Sequence, residues 1–333
     1  MTSLATIETD PTWLPHDINP NTGKMQFLKL PRETIRGHGF LAEVKTAQAE
    51  AWLPVEDIRE LETPSAPVHF IFHSGFCRST LLMRALQVPG ESVAISEPGI
   101  LNALTRYGKN DQALVNAVIG LLGQPHAEGE AVLIKPSNFP NRLIPSLLES
   151  QPDAQAIFVT NGLPDFLKAI VRKGLAGRHW GRQVYLETST YAMDKPPFDL
   201  KTLAGLTDLQ VAAFGWLLTQ NWFTTQIEND DGGRIRTLYS EQFDARRKEA
   251  ISAASAHFAL DFDDAKIESI VDGPEFKSHS KLGLDFKEKQ ALDERRSQSA
   301  VVDEEIAAVC QWIDQTARAS GLRVPVRQTL IPQ

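Results

Sequence analysis

The feature that most constrains the fold is an alternation, after residue 65, of short apolar runs with helix-like patterns. The runs are rich in β-branched and aromatic residues, lack strict polar–apolar alternation, and cover Val68–His73, Ser92–Ser96, Ala131–Pro136, Ala154–Thr160 and Arg234–Tyr239. Strands that are buried on both faces have this composition, as in a parallel sheet. With helices between the strands and right-handed crossovers, the alternation predicts an α/β fold.

Helical patterns fill the intervals between these runs and continue towards the end of the chain. They cover Thr80–Leu86, Asp111–Leu122, Pro164–Lys173, Leu206–Asn229 and Asp303–Ala319. Two long stretches, Ala176–Asp199 and Val271–Arg296, fit neither pattern. Irregular segments of this length in a compact domain are often binding loops or lids, and ordinary surface loops are an equal alternative.

The first 65 residues differ in composition from the rest of the chain. They are rich in Pro, Asn and charge, and they contain one strand-like run, Met25–Leu30, before a Pro-containing linker at Leu61–Pro67. We therefore predict an N-terminal extension over residues 1–65 and a main domain over residues 66–333. A lid, an added edge strand and a dimer arm are all open for the extension.

Charge and cysteine content narrow the partners and the location. The chain carries 34 Lys and Arg against 42 Asp and Glu, a formal charge of −8, which argues against nucleic acid or an anionic membrane as the general partner. Cys77 and Cys310 are the two cysteines, so a reducing cytoplasm is the expected location. The sequence shows no signal-peptide pattern and no apolar run of membrane-spanning length. It does not predict an oligomeric state.

The most informative segment is HSGFCRSTLLMRAL, from His73 to Leu86, which passes from a buried strand directly into a helix. Ligands of open α/β sheets bind at the carboxyl ends of the strands, and a helix N-terminus offers N–H groups to a phosphate or sulfate. Gly75 permits close approach of the backbone, and Arg78 adds a cation that can bind an anion through two N–H groups. Ser79 and Thr80 add hydroxyls at the helix start. The segment therefore predicts an anion site.

This loop departs from the Walker A pattern, because Cys77 and Arg78 stand where that pattern has Gly and Lys. Phosphoryl transfer from a nucleoside triphosphate also uses Mg²⁺ held partly by a carboxylate at a strand end, and none of the later strand-like runs ends in a clear Asp. No set of His, Cys, Asp and Glu has metal-ligand spacing. We therefore expect an anion site that needs no metal.

The stretch FIFHSGFCRSTLLMRAL, followed by ISEPGILNAL, resembles the nucleotide-binding start of bacterial sulfotransferase-like proteins. The resemblance runs from about Val68 to Gly174 and returns at His279–Gly283. It implies a P-loop NTPase-like three-layer fold with a central, mostly parallel sheet flanked by helices. It also implies metal-independent use of 3′-phosphoadenosine 5′-phosphosulfate (PAPS), whose sulfuryl group passes to a hydroxyl or amine of a small-molecule or carbohydrate acceptor.

The resemblance also assigns roles to particular residues. Glu97 follows the second strand, where several branches of the family place an acidic base. Asn161 stands where the family has an Arg for the 3′-phosphate, and Lys168 stands near the position of its Ser. In the late stretch, Lys277 and Lys281 are expected to close over the nucleotide. The loop that would hold the 5′-phosphosulfate comprises Ser74, Gly75, Phe76, Cys77, Arg78, Ser79 and Thr80.

The resemblance further implies that Arg78 faces the transferring group and that Glu97 takes the proton of the acceptor. A helix N-terminal carboxylate is the alternative for Glu97. His73 ends the first strand and is either a ligand contact or base, or an ordinary strand-end histidine. Lys135 ends an apolar strand, and since an unpaired buried lysine is costly, it should point to solvent or to an anion in the cleft.

Two other functions remain open from the sequence. One is a P-loop phosphotransferase or kinase-like enzyme that uses ATP and Mg²⁺, with Glu97 as the metal carboxylate. The other is a non-catalytic nucleotide-binding protein, which Asn161 in place of an Arg favours. All three share one fold, so the fold alone cannot separate them.

Overall fold

A computed structural model describes residues 3–63, 65–107, 111–193, 198–277, 300–323 and 328–332 of the chain. These residues form two compact units. The first unit contains the chain up to His73 together with Ser79–Ile157 and Lys248–Val271. The second contains Ser74–Arg78, Phe158–Arg247 and the described residues from Asp272 onward.

The central sheet has five parallel strands, which confirms the α/β prediction. Its strands are β4 to β8, and their order across the sheet is β5-β6-β4-β7-β8. Val68 of β4 pairs with Val132 of β6, and Ser92 of β5 pairs with Ala131. The strands cover Val68–His73 (β4), Ser92–Ser96 (β5), Ala131–Lys135 (β6), Ala156–Thr160 (β7) and Ile235–Tyr239 (β8).

Burial explains why these runs lack polar alternation. Every residue of β4, β5, β6 and β7 is buried, including the polar residues at their ends. A strand that is covered on both faces has no solvent side for polar residues to occupy. The composition of the five runs was therefore sufficient to predict the strands to within two residues.

The strand order locates the place where ligands of such sheets bind. It matches neither the 3-2-1-4-5-6 nor the 2-1-3-4-5 order of the two common doubly wound folds. The chain leaves β4 towards β5 on one side and leaves β7 towards β8 on the other. Connections that depart in opposite directions from neighbouring strands make a topological switch point, where a crevice forms at the carboxyl ends. The residues that follow β4 and β7 are therefore the first place to look for a site.

The N-terminal residues form a second, antiparallel sheet in the order β1-β2-β3. Its strands are Trp13–Asn19 (β1), Lys24–Lys29 (β2) and Ala49–Pro54 (β3). Because this sheet is separate from the parallel one, the suggestion that the extension adds an edge strand is wrong. Short helices lie around it, and β1 packs against two helices of the same unit at Gly99–Tyr107 and Gln112–Leu122.

Sixteen α-helices are present in the described residues, together with 3-10 helices at Leu41–Glu43 and Phe139–Leu143. The predicted ones form within three residues of their expected bounds. They are Leu4–Thr9 (α1), Arg32–Gly37 (α2), Val55–Arg59 (α3), Ser79–Leu86 (α4), Gly99–Tyr107 (α5), Gln112–Leu122 (α6), Ile144–Ser150 (α7), Leu163–Arg172 (α8), Gly174–Thr188 (α9), Leu200–Gly205 (α10), Asp208–Glu228 (α11), Ser240–Ala245 (α12), Arg247–His257 (α13), Asp264–Val271 (α14), Pro274–Lys277 (α15) and Ala300–Ser320 (α16).

The irregular segment expected at Ala176–Asp199 is wrong over residues 176–188, which lie in helix α9. Residues 194–197 lie outside the described part of the chain. The buried face of α9 carries Gly177, Gly181, Val184, Tyr185 and Thr188, so the apolar stripe that usually marks a helix is partly replaced by glycine. A Cβ at Gly181 would lie 2.6 Å from the Cβ of Ala212 in α11. Glycine thus allows α9 and α11, both in the second unit, to approach closely. It also removes the apolar periodicity from which a helix is predicted.

No helix in the described part of the chain combines the length and the apolar character needed to cross a membrane.

Candidate functional site

The loop after β4 has an unusual backbone. Gly75, Phe76 and Arg78 have positive φ angles of 89°, 55° and 67°. Non-glycine residues adopt such angles at a cost and only where their surroundings hold them. Left-handed residues are typical of the turns in which successive N–H groups line an anion-binding concavity. The loop therefore has the backbone of a left-handed turn, and the anion site stays a prediction.

The end of β7 holds the loop in this shape. Ser74 N–H donates to the Val159 carbonyl at 3.1 Å, and the Cys77 thiol donates to the same oxygen at 3.2 Å. The Asn161 amide donates to the carbonyls of Gly75 and Phe76 at 3.4 and 3.3 Å. Asn161 is itself fixed, because its backbone carbonyl accepts a hydrogen bond from the Trp216 indole N–H at 3.0 Å. These bonds all lie within the second unit.

An aromatic cluster packs on the same loop. The Phe76 and Trp180 ring centroids are 4.5 Å apart, and the Lys173 ammonium lies 5.3 Å from the Phe76 ring. A Cβ at Gly75 would stand 2.5 Å from the Trp180 ring. Gly75 is therefore required twice, by its left-handed φ and by the closeness of the indole.

Arg78 and the two hydroxyl residues take different environments. The Arg78 Nε donates to Asp244 at 3.1 Å, and both side chains are roughly half-exposed. An exposed pair of this kind contributes little to stability, so the guanidinium can exchange this partner for an anion at small cost. Ser79 is buried and Thr80 half-buried in the first turn of α4.

A second group of polar residues lies at the carboxyl edge of the sheet in the first unit. We call His73, Glu97 and Lys135, which end or follow β4, β5 and β6, the strand-end cluster. Lys135 is fully buried, and its ammonium donates to Glu97 Oε1. The same oxygen lies 3.6 Å from His73 Nε2. The backbone also joins the strands here, because Glu97 N–H donates to the Lys135 carbonyl at 2.6 Å.

Lys135 does not point to solvent, because it is buried and pairs with Glu97. The sequence offered solvent or an anion in the cleft as its surroundings, and the ion pair with Glu97 was not foreseen. Glu97 has a φ of 50°, so its backbone departs from the strand in the left-handed region. That turn aims its side chain at the end of the neighbouring strand.

Burial and charge set the protonation of the cluster. Burial raises the pKa of Glu97 above its usual range and outweighs the Lys135 charge, which lowers it, while Glu43 adds to the rise. Burial lowers the pKa of His73 well below its usual value, and the Lys135 charge acts in the same direction. His73 is therefore neutral at neutral pH, and the proton affinity of Glu97 is increased. A raised proton affinity is a property that a general base needs.

The remaining predicted positions are Asn161, Lys168, Lys277 and Lys281. Asn161 is buried, and its side-chain amide donates to the backbone carbonyls of the loop. Its predicted nucleotide contact stays a prediction. Lys168 lies half-buried on α8, and Lys277 is the last residue of α15. Lys281 and most of the stretch Val271–Arg296 lie outside the described residues.

Sequence reasoning missed the residues that support the site. Asp244 is 166 positions from Arg78, and no local pattern connects them. Trp180 stood in a stretch interpreted as a loop. Among the described residues, no three His, Cys, Asp or Glu side chains are grouped as a metal site would require.

Comparison with known protein families gives no match for this chain. Comparison with curated proteins gives no significant relative either.

Proposed function

We propose that the protein transfers a sulfuryl group from PAPS to a hydroxyl or amine of a small-molecule or carbohydrate acceptor, without a metal. The observation that carries the proposal is the strand-end pair of Glu97 and Lys135. The Lys135 ammonium already balances the negative charge of this carboxylate. Glu97 is therefore better suited to proton transfer than to binding a further cation. The left-handed loop with Arg78 supplies the anion site that the donor needs.

The proposed step follows from the chemistry of these groups. The acceptor oxygen attacks the sulfur of PAPS, a new S–O bond forms, and the S–O bond to the 5′-phosphate breaks. Glu97 takes the acceptor proton, and 3′,5′-ADP leaves with the bonding electron pair. Loop N–H groups and Arg78 offset the negative charge that grows on the departing phosphate. Lys135 positions the Glu97 carboxylate, and its charge lowers the pKa of Glu97 against the larger effect of burial.

One observation favours a second candidate, a non-catalytic nucleotide-binding protein. Asn161 occupies the place where the sulfotransferase-like family has its 3′-phosphate arginine, and its amide is committed to the loop. A protein that keeps the loop but not the 3′-phosphate contact would bind nucleotides without using PAPS. The third possibility is an ATP- and Mg²⁺-dependent phosphotransferase, which the binding experiment below distinguishes from the other two.

Isothermal titration calorimetry tests the proposal. Wild-type protein is titrated with 3′,5′-ADP, 5′-AMP and ATP, each in EDTA and each with Mg²⁺. We expect 3′,5′-ADP to bind in EDTA and more tightly than 5′-AMP. ATP binding only with Mg²⁺ would favour phosphoryl transfer, and equal affinity for 3′,5′-ADP and 5′-AMP would favour the non-catalytic alternative.

A matched pair of variants links binding to the loop. Arg78→Met removes the proposed anion contact, whereas Arg323→Met removes another half-exposed arginine that pairs with a surface carboxylate, Glu228. We expect the first change to weaken 3′,5′-ADP binding about 10- to 100-fold, because charge-assisted bonds contribute about 1.5–3 kcal/mol. The second should leave affinity unchanged. Equal affinities in the two variants would remove Arg78 from the site.

A further inference from the structure

Gln220 is a buried amide in the largely apolar helix α11. It is 1 % exposed, and its neighbours along the helix include the fully buried residues Leu217, Leu218 and Phe223. A primary amide that is taken out of water costs free energy unless it is hydrogen-bonded. The Gln220 Nε2 donates to the Thr160 hydroxyl at the end of β7 at 2.5 Å, while Gln220 Oε1 has no hydrogen-bond donor among the described residues. The donor half of this amide is therefore the half that the structure uses.

The bond to Thr160 is the first of a series that reaches the loop after β4. The Thr160 hydroxyl lies 3.3 Å from the Ser74 hydroxyl, and Ser74 Oγ lies 3.3 Å from Asn161 Oδ1. We call Gln220, Thr160, Ser74 and Asn161 the polar network. All four side chains are at most 2 % exposed and belong to the second unit. Because buried hydrogen bonds of this kind polarise one another, the loss of one bond affects the others.

The loop end of the network fixes the direction of every bond in it. The Asn161 amide must turn its Nδ2 to the two loop carbonyls, since a carbonyl oxygen only accepts. Asn161 Oδ1 then faces Ser74, whose hydroxyl has to donate to it. Ser74 accepts in turn from Thr160, which has thereby used its one proton and needs a donor of its own. Gln220 supplies that donor, so its amide is matched to the loop through the other three side chains.

The network also sets the direction of the loop N–H groups. Asn161 holds the carbonyls of Gly75 and Phe76 at 3.4 and 3.3 Å. The C=O and the N–H of one planar trans peptide point in opposite directions. The N–H groups of Phe76 and Cys77, which share peptides with these carbonyls, are therefore turned away from Asn161. Successive N–H groups that face outward from a left-handed turn are the donors that an anion requires.

From these observations we propose that Gln220 and Thr160 are positioning residues for the anion loop. They act without touching the ligand, because they hold the loop through Ser74 and Asn161 in the conformation that presents its N–H groups. This inference rests on the proposed function, in which the loop binds the 5′-phosphosulfate of PAPS. It also gives Asn161 a role that an Arg could not fill, because an Arg side chain has donors but no acceptor for the Ser74 hydroxyl.

Thr160→Val tests the network, with Thr219→Val as the matched control. Both threonines are buried, but the Thr219 hydroxyl donates to the Gly215 carbonyl of its own helix. Calorimetry measures 3′,5′-ADP affinity, and hydrogen–deuterium exchange measures the loop amides of residues 75–78. We expect Thr160→Val to weaken 3′,5′-ADP binding about 5- to 10-fold, the equivalent of one lost hydrogen bond, and to speed exchange of the loop amides. Thr219→Val should match wild type in both measurements.

Two further variants separate positioning from a general loss of stability. Thr160→Ser keeps the hydroxyl and should retain wild-type affinity and loop exchange. Gln220→Met removes the amide at nearly constant volume and should act like Thr160→Val, so it also serves as the test if Thr160→Val does not fold. Combining Gln220→Met with Thr160→Val should add little to either change, because Gln220 acts only through Thr160.

Loop exchange distinguishes failure of this inference from failure of the proposed function. Unchanged exchange at residues 75–78 in Thr160→Val and Gln220→Met overturns the inference, as do equal effects of Thr160→Val and Thr219→Val. Additive losses in the double variant overturn it as well. A wild-type protein that binds no 3′,5′-ADP rejects the proposed function, whereas faster loop exchange in Thr160→Val, but not in Thr219→Val, still supports the role of the network in holding the loop.

Discussion

Gly75 provides the sharpest single test of the loop structure. In Gly75→Ala the new Cβ would lie 2.5 and 2.9 Å from two carbon atoms of Trp180, and the residue would have to keep a φ of +89°. An L-residue in the left-handed region costs about 1–2 kcal/mol, and overpacking of a filled site adds about 1–3 kcal/mol. We therefore expect Gly75→Ala to lower the free energy of unfolding by about 2–5 kcal/mol.

A second glycine separates these two costs. Gly129 has a φ of +79°, and a Cβ placed on it meets nothing within 4 Å. Gly129→Ala should therefore cost only the backbone part, about 1–2 kcal/mol. A double-mutant cycle with Trp180→Ala measures the clash between the new Cβ and the indole directly. Removal of the indole relieves this clash in Gly75→Ala and has no clash to relieve in Gly129→Ala.

Urea denaturation followed by circular dichroism gives the stabilities, and calorimetry gives the 3′,5′-ADP affinities. Gly75→Ala should be the less stable variant and should bind the nucleotide more weakly, while Gly129→Ala binds like wild type. Equal destabilisation by the two substitutions, or no coupling between Gly75 and Trp180, would refute the account of how the loop is held.

Two further predictions concern buried charges. Glu130, only 2 % exposed, bonds to Arg32, Arg36 and the Gly90 N–H; burial raises its pKa but these bonds lower it further, for a net decrease. The stabilisation by Glu130 is therefore present above the unfolded pKa and lost as pH falls through the folded pKa. Glu130→Gln should lower the free energy of unfolding, measured by urea denaturation, by about 3 kcal/mol at pH 7 and by much less near pH 3. An equal loss of stability at both pH values would contradict this. Lys135→Met removes a charge that lowers the pKa of Glu97, so the acid limb of the kcat/KM profile should move to higher pH, and an unmoved limb would remove Glu97 from the base role.

The sequence was sufficient for the parallel sheet because burial on both faces leaves a compositional mark on each strand. It was also sufficient for the loop, since Gly75 and Arg78 stand together between a strand and a helix. It failed at α9, where glycines at Gly177 and Gly181 replace the apolar residues that reveal a helix. The physical reason is that close helix packing and hydrophobic periodicity are alternative ways to bury the same face.

The candidate site was only partly predictable for a different reason. His73, Glu97 and Lys135 were each recognised at a strand end, but their mutual contacts depend on which strands are neighbours. Strand order is not a local property of the chain.

The most direct test of the central claim is the release of 3′,5′-ADP from PAPS in EDTA, measured by chromatography with a panel of phenols, sugars and amines. We expect acceptor-dependent release by wild type. We expect no release by Glu97→Gln, which should still bind 3′,5′-ADP with wild-type affinity. Binding of the nucleotide without release for any acceptor, or unchanged release by Glu97→Gln, would contradict the proposed sulfuryl transfer.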